Sequence, residues 1–273
     1  MRSIAKLMKD WQFTGPDGVT TAVELPHTWN ARDGQDGGND YWRGCCTYCT
    51  RFAAPVYDPA QQQVWLQFEG VNASAAVLLN GQQLCTHDGG YSTFRAEVTE
   101  LLQAENQLTV RVDNSVNDRV YPQKADFTFY GGIYRDVSLL VVNKNHIALG
   151  HFGDTGVKIT PTLKEGSTDI QVETLVEGSG TVTVELLDAE GRTVAKGEGE
   201  NTFLHLDAPH LWNGVKDPYL YTCVVRLLQD GQPVDEVTTR VGLRSFSVDA
   251  MCAACPSSCS PSAPVRRKAR RPA

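Results

Sequence analysis

The chain has 273 residues, with 25 Lys+Arg against 32 Asp+Glu, 41% hydrophobic residues, 24 Gly and 13 Pro. That length suits two domains of roughly 100–150 residues and is too short to add an eight-stranded α/β barrel, which takes about 250 on its own. Residues 250–273 carry five cations (Arg266, Arg267, Lys268, Arg270, Arg271) and no acid, so the remaining 20 cations against 32 acids put residues 1–249 at −12, a charge that repels phosphate backbones and argues against a nucleic-acid partner.

No stretch reaches the roughly 20 apolar residues of a membrane span, and the first eleven residues lack the apolar core and small-residue cleavage site of a secretory leader. A soluble, cytoplasmic protein with no membrane partner is expected. Eight Cys are present, but they cluster at Cys45, Cys46, Cys49 and again at Cys252, Cys255, Cys259, which is no disulfide framework.

From the start to about residue 143 the chain shows short apolar runs broken by turn chemistry. Val64 to Phe68 and Ala76 to Leu79 end at turn signals, and Asn80-Gly81 is a strong two-residue hairpin signal. Leu108, Val110 and Val112 alternate with Thr109 and Arg111, as a strand with one buried face requires. From 144 to 249 the alternation continues through Ile170, Val172, Thr174, Val176, then Val182, Val184, Leu186, then Tyr221, Cys223, Val225, Leu227, then Val237, Thr239, Val241. Glu190-Gly191 and Asp230-Gly231 mark the turns, and about 100 residues of such strands are the size of an immunoglobulin-like sandwich. An all-β protein with two sandwiches in series, 1–143 and 144–249, is predicted. After Asp249 the sequence becomes Ala, Cys, Ser, Pro and Arg with hardly a large apolar residue, which predicts a disordered basic tail over 250–273.

Self-contained catalytic motifs are absent: there is no G-x-S-x-G, no H-E-x-x-H and no P-loop. Cys46-x-x-Cys49 and Cys252-x-x-Cys255 have zinc-ligand spacing, yet residues three apart on a strand face opposite sides. Asn72-Ala-Ser74 matches a glycosylation acceptor and reads as a polar turn where no leader precedes it. The segment 124–136 holds Asp126, the rings of Phe127, Phe129 and Tyr130, and Gly131-Gly132. Carboxylates accept hydrogen bonds from sugar hydroxyls and aromatic faces cover the C–H side of a sugar ring, so this composition suits a carbohydrate. The competing interpretation is a core strand in which Arg135 and Asp136 pair locally.

LPHTWN (25–30), YWRG (41–44), FEGVNASAAVLLNG (68–81), DFTFYGGIYRDVSLL (126–140), LWNGVKDPYLYTCVV (211–225) and VGLRSFSVD (241–249) occur in this order. Taken together they resemble the N-terminal part of glycoside hydrolase family 2, most closely its β-galactosidases, with β-glucuronidases and β-mannosidases as relatives. The resemblance implies a jelly-roll sugar-binding domain, an immunoglobulin-like domain, and then a barrel carrying two catalytic glutamates. Retaining glycosidases hold such a pair about 5–5.5 Å apart. The likeness stops at Asp249, so no catalytic residue carries over, and a non-catalytic, truncated part of a β-galactosidase-like hydrolase is expected. A frame change in the gene after Asp249 would account for the tail.

By the same resemblance Asp126 touches sugar hydroxyls and a monovalent cation, which makes it the leading substrate-binding residue and the one metal candidate. Gly131 and Gly132 permit close backbone approach, and Arg135 with Asp136 hold the strand. A second loop contributes a polar residue in some members, for which Asn39 and Asp40 are the candidates. Full-length relatives use Mg and Na, and no cofactor is expected in this fragment. The expected partners are a β-galactoside-type sugar, bound weakly, and a separate catalytic barrel or a second copy docking on the barrel-facing side. The alternatives are a stand-alone carbohydrate-binding module and an interaction protein using that side.

Overall fold

The computed structural model describes residues 1–31, 41–121 and 128–246. Among them the chain is built from β-strands, with a single 3-10 turn at Thr99–Leu101. The tail at 250–273 lies outside the described residues.

Two antiparallel sheets form the first sandwich. One has six strands in the order Thr20–Val23, Trp11–Thr14, Cys45–Ala53, Glu105–Asp113, Ser74–Leu79, Gln82–Asp88. The other has four, in the order Ser3–Lys6, Val137–Asn143, Gln62–Phe68, Phe94–Glu97. Their facing side chains make one core that includes Trp11, Tyr48, Leu66, Phe68, Val77, Leu79, Leu108, Val110 and Val112. Alternation sets that core: in Glu105–Asp113 residues 106, 108, 110 and 112 are buried and their neighbours are not. Asn80 and Gly81 both adopt positive φ, 52° and 83°, as the predicted two-residue hairpin turn demands.

The second sandwich pairs a sheet of Val157–Leu163, Ser167–Thr174 and Asn201–Asp207 with a sheet of Thr193–Glu198, Thr181–Leu187, Tyr221–Gln229 and Gln232–Val241. Its core joins Ile170, Val172, Val182, Val184, Leu186, Tyr221, Cys223, Val225 and Leu227, the apolar positions that alternation singles out. Asp230 and Gly231, with φ 49° and 75°, close the hairpin between the last two strands.

The strand Val137–Asn143 carries the junction between the sandwiches. It is buried on both sides. Val137, Leu139 and Val141 enter the first core, whereas Leu140 and Val142 pack with Leu149 and Trp65. Polar clamps surround this contact. Arg2 grips Asp235 through Nε and Nη2 at 2.7 and 2.6 Å, and Asp235 also accepts the Ile147 amide at 2.8 Å. Arg95 donates to the carbonyls of Leu149 and Asp154, and Asn143 donates to that of Val234.

Candidate functional site

At one end of the first sandwich five segments converge: 28–31, 41–44, 72–73, 114–121 and 128–132. Three asparagines, Asn30, Asn72 and Asn114, are buried there at 0, 4 and 2% exposure. Each ends or follows a strand, so its side chain turns into the space where the regular ladder stops and backbone groups lack partners.

A carboxamide both donates and accepts, and all three use this. Asn30 accepts the Gly131 amide at 2.7 Å and donates to the Trp42 carbonyl at 2.9 Å. Asn114 accepts the Gly44 amide at 2.9 Å and donates to Asn30 and to the Phe129 carbonyl. Asn72 donates to the Tyr130 carbonyl at 2.8 Å. Thr28 adds a bond to the Gly131 carbonyl. Residues 129–131 are thus held by four side-chain bonds from three strands.

The glycines are required by contact. A Cβ at Gly131 would overlap the indole of Trp29, and one at Gly132 would strike the His27 carbonyl. Gly132 also has φ 138°. Behind them His27 Nδ1 lies 2.7 Å from the Tyr48 hydroxyl, and burial holds His27 below the ordinary histidine value. Burial also pushes the Tyr48 phenol up. Tyr134 donates to the Gly90 carbonyl, and burial raises its hydroxyl to about 12. Neither phenol ionises near neutrality.

Arg43, Tyr91, Asn117, Tyr121 and Phe129 line a cleft above the asparagines. Asn117 caps the amides of Arg119 and Val120, and Arg119 is tied to Asp88 at 2.9 Å. The described lining contains Asn72, Ala73, Asn114, Ser115 and Val120 besides, and no carboxylate. The free space between them is about 20 Å³, room for a single water, and the described lining has no acid/base pair for glycoside cleavage.

Asp126, Asn39 and Asp40 lie outside the described residues. Arg135 and Asp136 do not pair with each other. Arg135 lies over the Tyr134 ring and reaches the Tyr91 carbonyl, while Asp136 takes Lys6 at 2.6 Å. Both lie in the bend between the strands Gly132–Ile133 and Val137–Asn143, where each side chain finds its own partner. Asn72 is buried and bonded, so it is no glycosylation acceptor. Cys46 is buried and Cys49 faces the other side of its strand, and Cys252 and Cys255 lie outside the described residues. Among the described residues no three His, Cys, Asp or Glu converge on a metal position.

The network was missed from sequence. Asn30, Arg43 and Asn72 all sit inside the motifs quoted above, but nothing local distinguishes an asparagine that holds a distant loop from one that caps its own turn.

Two β-sandwiches in series, the first holding an aromatic, glycine-paired loop at one end, define a tandem all-β class of module. The chain belongs to glycosyl hydrolase family 2. The galactose-binding domain-like profile of that family matches residues 39–162 and its glycosyl hydrolases family 2 profile matches 151–244. A β-glucuronidase of Bacteroides fragilis is 33% identical over 89% of this chain and 38% of its own length. A β-galactosidase of Bacteroides ovatus is 31% identical over 88% of this chain and 31% of its own. The crystal structure of an FMN-binding β-glucuronidase from Faecalibacterium prausnitzii superposes with a TM-score of 0.85 at 35% identity, covering 91% of this chain and 40% of the other. The chain therefore spans about a third of the length of these relatives and corresponds to the family's N-terminal region. No helix among the described residues is long and apolar enough to cross a membrane.

Proposed function

We propose that this chain, with domains at about 1–143 and 144–249, is the sugar-contacting part of a glycosidase for β-galactosides or β-glucuronides. Alone it binds such sugars weakly and does not hydrolyse them. The observation that carries this reading is the asparagine-held segment 129–131, which continues directly from Asp126 in sequence and borders a small cleft at the end of the first sandwich. In this reading Asp126 accepts sugar hydroxyls, with Asn39 or Asp40 as a second polar contact. A monovalent cation at Asp126 belongs to the same proposal.

The test is hydrolysis of chromogenic β-galactoside and β-glucuronide by the purified chain, beside an NMR titration with galactose. No turnover, with millimolar binding, about 4 kcal/mol, weakened in Asp126→Ala, is expected. Turnover that survives purification and the Asp126→Ala change would overturn the reading.

One observation favours a docking role in addition. Leu211, Val215 and Phe246 are exposed on the second sandwich at 44, 101 and 75%, and Arg244 lies between the rings of Trp212 and Phe246 at 4.4 and 4.3 Å. Exposed large apolar side chains are what a protein contact would cover. A catalytic barrel or a second copy is the partner in this reading, and a monomer at all concentrations in size-exclusion chromatography would remove the second copy.

A further inference from the structure

Asn-Gly occurs twice in the chain, at Asn80-Gly81 and at Asn213-Gly214. A glycine after asparagine has no Cβ to screen its amide nitrogen, so that nitrogen can reach the asparagine Cγ and make the carboxamide labile. The two dipeptides share this chemistry and differ in their surroundings.

At Asn80 the carboxamide is held at both ends. Its Nδ2 donates to the Leu101 carbonyl and to Asn106 Oδ1, both at 3.0 Å, and its Oδ1 accepts the Gln107 amide at 2.9 Å. Attack by Gly81 requires these bonds to open. At Asn213 only the backbone is held: its amide donates to the Asp217 carbonyl at 2.7 Å, and its carbonyl accepts the Lys216 amide at 3.2 Å. Among the described residues its carboxamide makes no hydrogen bond, and neither does the Gly214 amide. A Cβ built on Gly214 would meet nothing nearer than Trp212 Cη2 at 3.8 Å, and Val215 beside it is fully exposed. The attacking nitrogen and the carboxamide are therefore both free to move in water.

We propose that Asn213 is a deamidation site, converting to isoaspartate and aspartate, while the fold protects Asn80. The Gly214 nitrogen bonds to Asn213 Cγ and gives its proton to solvent. The Cγ–Nδ2 bond breaks, Nδ2 takes a proton from solvent and leaves as ammonia, and a succinimide ring is closed. Water then opens the ring at either carbonyl. Opening at the former backbone carbonyl gives isoaspartate: the chain gains a methylene, and the group that accepted the Lys216 amide becomes a free carboxylate. Either product adds a negative charge to the turn that holds Asp217. None of this chemistry needs the sugar site or a docked partner.

The experiment incubates the purified 273-residue chain at neutral and at mildly alkaline pH, then digests it and follows the peptides holding 80–81 and 213–214 by liquid chromatography and mass spectrometry. In the folded chain Asn213 should convert about tenfold or more faster than Asn80, whose three bonds must open first. The rate should rise with pH, because the Gly214 nitrogen must lose its proton. In urea, with both turns unfolded, the two rates should converge. Asn213→Gln should remove most of the isoaspartate that the folded chain gains. Equal rates in the folded chain, a faster Asn80, or no conversion at Asn213 overturns the proposal. A gap of the same size in urea overturns the protection of Asn80 by the fold, since the difference would then come from the flanking residues.

Discussion

The first sandwich buries carboxamides where the second buries carboxylates. Asn30, Asn72, Asn106 and Asn114 are the buried amide side chains of one, and Asp188 and Asp235 the buried acids of the other. The difference follows from what each must satisfy. Around Gly131 both amides and carbonyls lack partners, and only a group that donates and accepts can serve both. Asp188 gathers donors alone: the amides of Glu190 and Arg192 and the Arg192 guanidinium. Asp235 likewise gathers the amides of Ile147 and Glu236 and the Arg2 fork. The charged clusters therefore depend on a cation; the amide cluster does not.

The largest break in this comparison is Asp235→Ala, which leaves the half-buried Arg2 and the Ile147 amide without an acceptor. A loss of about 3–5 kcal/mol in urea unfolding is expected, the usual cost of removing one partner of a buried pair. Asn114→Asp converts one cluster into the other type. The new carboxylate faces the Phe129 carbonyl and the Asn30 oxygen with no donor to give, so about 2–3 kcal/mol should be lost at pH 7 and part of it regained at pH 4, where the acid protonates. Asn72→Ala removes one bond to the Tyr130 carbonyl and should cost about 1–2 kcal/mol, read as faster proteolysis after Tyr130.

The smallest effect concerns histidines. Burial holds His27 and His87 below the ordinary value, so each binds fewer protons folded than unfolded. Their contribution falls as pH drops below the unfolded value of about 6.5. Hydrogen bonds to Asp169 and Asp207 hold His205 above it, a contribution fully present below about 6.5 and lost as pH rises through the folded value. Hydrogen exchange at pH 5.5 against 7.5 should show the first sandwich loosening and the strand Asn201–Asp207 tightening. The same direction in both would break the assignment.

Strand positions and hairpins were legible because their causes are local. Asn80-Gly81 and Asp230-Gly231 take the positive φ that their turns need, and alternation placed Leu108, Val110, Val112, Val182 and Val184 in the cores. Asp126, outside the described residues, is a candidate through the order of motifs. What sequence withheld is convergence. Asn30 and Gly131 are 101 residues apart, and Arg43 looks like any arginine before a strand until its stacking on Tyr41 and Phe129 becomes visible. Adjacent Arg135 and Asp136 suggested a pair because sequence proximity was mistaken for a shared face.

Arg2 leaves the ribosome 233 residues ahead of the carboxylate that holds it. At about 5–20 residues per second that separation is roughly ten to fifty seconds. The first core, complete once Val141 has emerged, can form during this interval, while the N-terminal guanidinium stays in water. The two sandwiches are sealed together only when Gln232–Val241 has been made, so their docking waits for that strand, and a bulky tag fused directly before Arg2 would obstruct that step rather than the folding of either core.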